Sequence, residues 1–241
     1  MTDFDVPVIG LIPAAGKSTR IHGLPKFLLP VPGDEHLLGR TINWMHAADA
    51  EPIIIGSSPE NIQLVARFAE TKEYRVAETV SMNDTLLRMR DSRSGIYLLG
   101  MPDTYFDDFL IGKRVVEHLR VNGHFDVVVG LWPIRSEQRG QLGQCEIDDT
   151  YVVKVVDKDP DCPFRWSWGI IAWKATFWDF IKRDDPHAGY ALQPAIDAGL
   201  RVGYVLADGK YWDCGTISQY WDFATLKRTS EMEEAGGRSV D

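Results

Sequence analysis

Eight short apolar, β-branched runs recur along this chain, each separated from the next by a longer amphipathic or polar stretch. The runs cover residues 6–12, 52–56, 74–77, 96–99, 126–131, 151–156, 168–173 and 202–206. Most are apolar throughout rather than at alternate positions, the pattern of strands buried on both faces. Helical patterns occupy residues 37–49, 59–69, 83–91, 109–122, 174–183, 189–198 and 218–227. Such alternation predicts an α/β fold with a mostly parallel central sheet covered by helices on both faces. Ligands of such sheets sit beyond the carboxyl ends of the strands. The pattern changes between about residues 131 and 161. There, residues 141–146 and 151–156 flank Asp148-Asp149-Thr150, which reads as a hairpin and a small antiparallel addition. A length of 241 residues favours one domain, placed here at 1–229, with the polar stretch 230–241 expected to fray.

The first run ends in a loop of small residues that delivers cations. Ala14, Ala15 and Gly16 are followed by Lys17, Ser18, Thr19 and Arg20, and Lys26 comes soon after. Small residues let backbone N–H groups approach an anion, and fixed cations complete a phosphate receptor. The whole chain carries a net charge of −9, yet residues 11–31 hold three cations and no acid. The local reversal points to a nucleoside triphosphate. A P-loop is excluded by spacing: five positions before Gly16 stands Leu11, and Gly10 comes one residue too early. Taken alone, the loop also fits a plain βα turn with solvated Lys and Arg.

Further carboxylates and cations stand at other strand ends. Asp103 closes Leu99-Gly100-Met101-Pro102-Asp103, and Asp213 lies within Tyr211-Trp212-Asp213-Cys214-Gly215-Thr216. Either could instead be a turn residue. Lys158 leaves a strand in Val155-Val156-Asp157-Lys158-Asp159-Pro160, where a solvated charge pair is the plainer reading. Ser81, Asn83 and Thr85 lie between a strand and a helix, where they could contact a ligand or cap the helix. Asp107 and Asp108 read as helix-start residues, and Trp166 and Trp168 as core or as a stacking surface.

Taken in order, these stretches resemble the sugar-phosphate nucleotidyltransferases, including the core of glucose-1-phosphate thymidylyltransferases and uridylyltransferases. Residues 14–20 followed by Pro25-Lys26-Phe27-Leu28-Leu29-Pro30-Val31 resemble the signature loop of that family. The resemblance implies a nucleotide-diphospho-sugar transferase-like, Rossmann-like fold. It implies that Arg20 holds the leaving phosphates and that Lys26 neutralises the α-phosphate. It gives Ala14, Ala15, Gly16, Lys17, Ser18 and Thr19 to the nucleotide, with Ser81, Asn83 and Thr85 at the base. It makes Asp103 and Asp213 ligands of Mg²⁺, puts Lys158 on the sugar phosphate, and lets the sugar approach the backbone at Gly169. Departures accompany it. Ser18 stands where the family usually has Gly, Met101-Pro102 separate Gly100 from Asp103, and Asp157 replaces a Glu beside Lys158.

The implied partners are an NTP and a sugar 1-phosphate. The acidic balance argues against nucleic acid. No apolar run reaches the ~18 residues of a membrane span. Three widely spaced cysteines and no signal-peptide pattern lead to a cytoplasmic expectation. A homo-oligomer is compatible with the sequence, which does not fix the oligomeric state. Two other readings remain open: a cytidylyltransferase for a non-sugar phosphoalcohol, which shares much of the first loop, and a non-catalytic protein that binds nucleotide sugars.

Overall fold

The computed structural model describes residues 6–17, 24–33, 35–69 and 73–236, with side chains through 227. Strand β1 (Val8–Ala14) is buried at every position, as its continuous apolar run requires. It pairs in parallel with β4 (Ala50–Ser57) on one side and β6 (Ile96–Leu99) on the other. Beyond β4, strand β5 (Glu73–Val76) adds a parallel edge. On the other flank, β11 (Trp166–Trp173) lies antiparallel to both β6 and β8 (Val127–Pro133), and β12 (Val202–Leu206) pairs in parallel with β8. The main sheet is therefore mostly parallel, with β11 reversed inside it and one further reversed strand at its edge.

The expected hairpin is present. β9 (Gly143–Ile147) and β10 (Val152–Asp157) pair antiparallel, and β9 also joins the start of β11. Its turn closes because Asp148 Oδ1 accepts the N–H groups of Thr150 at 2.8 Å and Tyr151 at 2.6 Å. Two further ribbons are too short to announce themselves as apolar runs. These are β2 (Pro30–Val31) with β3 (Glu35–His36), and β7 (Thr104–Phe106) with β13 (Tyr211–Asp213).

Helices α1 (Leu37–Ala47) and α4 (Ile111–Val121) cover one face of the sheet, and α3 (Met82–Met89) and α5 (Leu192–Asp197) cover the other. A short α2 (Ile62–Phe68) follows β4. Helix α6 (Ile217–Gly236) packs its Phe223 with Tyr105 and Trp212 in a third, smaller core, and its backbone continues past Ser230. Two expected helices are cut down. Residues 174–183 contribute a 3-10 segment, Ala175–Phe180, because Phe177 and Trp178 are drawn into the core. Residues 189–198 begin as a 3-10 turn, where Gly189 lies against the Trp168 ring; a Cβ there would come within 2.3 Å of it. Among the described residues no helix is long and apolar enough to cross a membrane.

Candidate active site

The carboxyl ends of β1, β4 and β6 share one edge of the sheet, and the β1 loop opens there. Ala14 and Ala15 are buried, whereas Gly16 and Lys17 are exposed. Among the described residues, a Cβ added at Gly16 would meet nothing within 4 Å. Lys17 Nζ lies 3.7 Å from Glu78 Oε2, an exposed pair joining this loop to the one after β5. Ser18, Thr19 and Arg20 lie outside the described residues. Lys26 opens a 3-10 turn, Lys26–Leu28, whose neighbouring Phe27 is buried and anchors it. Lys26 Nζ stands 3.6 Å from Asp103 Oδ2, with only 12% of its side chain exposed.

The β7–β13 ribbon brings the two candidate metal ligands together from positions 110 apart in sequence. Asp213 is the register partner of Thr104, and the Cys214 N–H donates to the Asp103 carbonyl at 2.9 Å. Asp213 Oδ1 also accepts the Gly215 N–H at 2.8 Å, which shapes the turn into α6. Two buried groups feel both charges. Burial raises the Tyr211 hydroxyl well above its usual range, and the Asp213 and Asp103 carboxylates push it further. Burial and the same two carboxylates raise the Cys214 thiol, so it stays protonated and is no nucleophile. All three cysteines are buried and unpaired.

The ribbon is fastened from both sides. Arg135 Nη1 and Gln138 Nε2 each donate to the Tyr211 carbonyl at 2.9 Å. Asp107 and Asp108 do not start α4, which begins at Ile111. Their carboxylates accept the N–H groups of Lys210 and Asp208, clamping the turn that leads into β13. Lys227 of α6 pairs with Asp107. These supports were not visible in sequence, because a clamp on a backbone carbonyl leaves no motif; only the irregular stretch 131–161 hinted at Arg135 and Gln138.

A cleft of about 750 Å³ opens beside the ribbon, between the Arg135–Leu142 stretch and α6. Lys158, Asp213, Arg135 and Trp212 all line it. Lys158 therefore lines the same cleft as a candidate metal ligand. Lys26, Asp103 and Gly16 do not line this cleft.

Four of the expected contact residues have structural partners. Ser81 caps α3, accepting the Asp84 N–H at 3.0 Å, and its hydroxyl donates to the Arg183 carbonyl. Asn83 is fully buried and donates to the Lys182 carbonyl at 3.1 Å. Thr85 bonds the Ser81 carbonyl at 3.1 Å and the Thr79 hydroxyl at 2.8 Å. Of the two readings of these residues, the capping one accounts for the bonds that Ser81 and Thr85 make, while Asn83 Oδ1 stays buried without a partner among the described residues. Gly169 is enclosed as well. A Cβ there would lie 2.6 Å from the Tyr211 ring and 2.8 Å from the Trp132 ring, so its open face is filled by aromatic packing. Gly169→Ala is expected to destabilise the protein by about 1–3 kcal/mol through overpacking. Urea unfolding checks this; an unchanged midpoint with impaired acceptor use would restore the sugar-contact role.

No known family profile matches the sequence, and no curated protein does. Solved structures do match. A putative glucose-1-phosphate thymidylyltransferase from Bacillus anthracis, in complex with a sucrose, is 19% identical, with a TM-score of 0.74 over 92% of this chain and 95% of that one. A UDP-glucose pyrophosphorylase complexed with UDP-glucose is 15% identical, with a TM-score of 0.76 over 93% and 99%. A UDP-glucose pyrophosphorylase from Acinetobacter baumanii is 15% identical, with a TM-score of 0.70 over 90% and 91%.

Proposed function

We propose that this chain, which has the sugar-phosphate nucleotidyltransferase fold, joins an NTP to a sugar 1-phosphate and releases pyrophosphate. The observation that carries this reading is the β7–β13 pairing. It gathers Asp103 and Asp213 with Lys26 on one side, while Lys158 faces the same cleft as Asp213.

The acceptor phosphate is already an anionic nucleophile, so no general base is required. One of its oxygens attacks the α-phosphorus, and the bond to the bridging oxygen of pyrophosphate breaks in line. Catalysis then reduces to alignment and charge neutralisation. Lys26 is assigned to the α-phosphate, Arg20 to the leaving phosphates, and Gly16 to the triphosphate chain. Lys158 holds the acceptor phosphate. The donor set suits Mg²⁺: two carboxylates, leaving the other positions to water and phosphate oxygens. Among the described residues no cluster of three or more His, Cys, Asp or Glu side chains offers a richer site. When bound, Mg²⁺ would neutralise phosphate charge; Asp103 and Asp213 would hold it.

The test is pyrophosphate release with Mg²⁺, across the common NTPs crossed with sugar 1-phosphates and phosphoalcohols. Release that needs one NTP and one sugar 1-phosphate is expected. Release with a phosphoalcohol alone would reassign the acceptor. Binding of a nucleotide sugar without turnover in any combination would make the chain a non-catalytic binder.

A further inference from the structure

Among the described residues, four buried polar atoms without a hydrogen-bond partner lie in one place, at the end of β10. They are both carboxylate oxygens of Asp157, Nδ1 of His187 and Nε1 of Trp168. The Trp168 and His187 rings are 5.5 Å apart, and a Cβ at Gly143 would touch both the Trp168 indole and Asp157. His187 Nε2 stands 3.4 Å from Asp157 Oδ1, with 13% and 11% of the two side chains exposed. A carboxylate this enclosed is costly to leave alone, and the His187 imidazole, 3.4 Å away, and the Tyr190 hydroxyl are the groups beside it that offset the cost. Burial by itself would raise the Asp157 carboxyl; the contact with His187, the charge of Lys158 and the Tyr190 hydroxyl outweigh it and hold it below the usual carboxylate range.

The next residue is Lys158, whose backbone is left-handed at φ 53°. A residue with a β-carbon stays in that region only where its neighbours over-determine it. On the downstream side, Gln144 Nε2 donates to the Asp159 carbonyl at 2.8 Å. On the upstream side, Asp157 is held by His187, and the Val155 N–H donates to Gln193 Oε1 at 2.7 Å. Both anchors belong to residues 182–193. The start of that segment is tied to α3 through the Lys182, Arg183 and Pro186 carbonyls. It is thus a strap running from the loop after β5 to the base of Lys158.

We infer that His187 is a positioning residue which, through Asp157, holds the Lys158 backbone in the conformation that presents its ammonium to the cleft. The inference rests on the proposed function for what Lys158 binds, namely a phosphate. His187 itself touches no substrate.

The test uses the full-length, ¹⁵N-labelled protein titrated with inorganic phosphate and follows the amide resonance of residue 158, so that phosphate bound elsewhere is not counted. Inorganic phosphate serves because it needs no knowledge of the sugar. His187→Ala is expected to weaken binding about five- to tenfold, the scale of a contact-mediated coupling. His187→Gln, which keeps an N–H within reach of Asp157, is expected to restore most of it. Because His187 acts through Lys158, the His187→Ala/Lys158→Ala double variant is expected to bind no more weakly than Lys158→Ala. An unchanged affinity in His187→Ala would overturn the inference, as would full additivity in the double variant. If Lys158→Ala alone leaves phosphate binding intact, the assignment of Lys158 fails first and the role of His187 falls with it. In turnover, the same coupling raises KM for the acceptor while kcat and KM for the NTP hold.

Discussion

Asp213→Asn is expected to lower Mg²⁺-dependent pyrophosphate release by about 10²–10³-fold, the scale seen when one electrostatic stabiliser of a transition state is removed. Asn is the informative replacement. Asp213 Oδ1 accepts the Gly215 N–H, and an amide oxygen can keep that bond while the charge is lost. The turn into α6 therefore survives, and the melting temperature should move little. Asp213→Ala would lose both charge and turn, and so mix the two effects. The variant is compared with the native chain across a Mg²⁺ titration, with nucleotide binding measured alongside. Native-level turnover in Asp213→Asn would remove this carboxylate from the metal site. Rescue at high Mg²⁺ would instead assign the loss to weakened ion affinity.

Trp132→Ala is expected to cost about 3–5 kcal/mol, the range for removing a large aromatic from a packed core. Trp132 is 1% exposed at the carboxyl end of β8. Its ring centroid lies 5.3 Å from Phe106 of β7 and 5.2 Å from Tyr211 of β13. It therefore supports from below the ribbon that carries both aspartates. For a domain of this size the cost corresponds to a fall in Tm of about 10 °C. Thermal unfolding followed by calorimetry measures it, and Trp132→Phe should recover part of the loss. A fall under about 2 °C, less than 1 kcal/mol at this size, would show that the ring is not a support.

Much of the architecture was legible because burial writes itself into composition. Strands enclosed on both faces must be apolar throughout, and all eight apolar runs overlap a strand, two of them with matching ends at residues 96–99 and 202–206. The hairpin at Asp148 was legible for a different reason: an aspartate that bonds the backbone two and three residues on is a local device. The reversed direction of β11 was not, since its apolar run would look the same in either orientation. Nor was the β7–β13 ribbon, whose three-residue strands are too short to show a period.

The site divides along the same line. Lys26 stands out as a cation of the loop after β1, and Asp103, Asp213 and Lys158 as charges at or just after apolar stretches. Ser81, Asn83 and Thr85 stood out equally, yet they cap a helix and close a loop. Local sequence is identical for a hydroxyl that meets a ligand and one that meets its own backbone. Gly169 likewise signalled a need for space without saying that an aromatic ring fills it. His187 carried no signal, since its partner Asp157 is 30 residues away.

The sequence by itself determined the α/β class, the strands of the main sheet and the set of chemically capable side chains, because these follow from short-range periodicity and residue chemistry. Only the tertiary structure decided the strand order, the meeting of Asp103 with Asp213, and the placing of Lys158 on the wall that Asp213 shares. Those facts depend on which distant strands exchange backbone hydrogen bonds. Peptide N–H and C=O groups are the same in every residue but proline, so that choice is made by packing across the whole sheet.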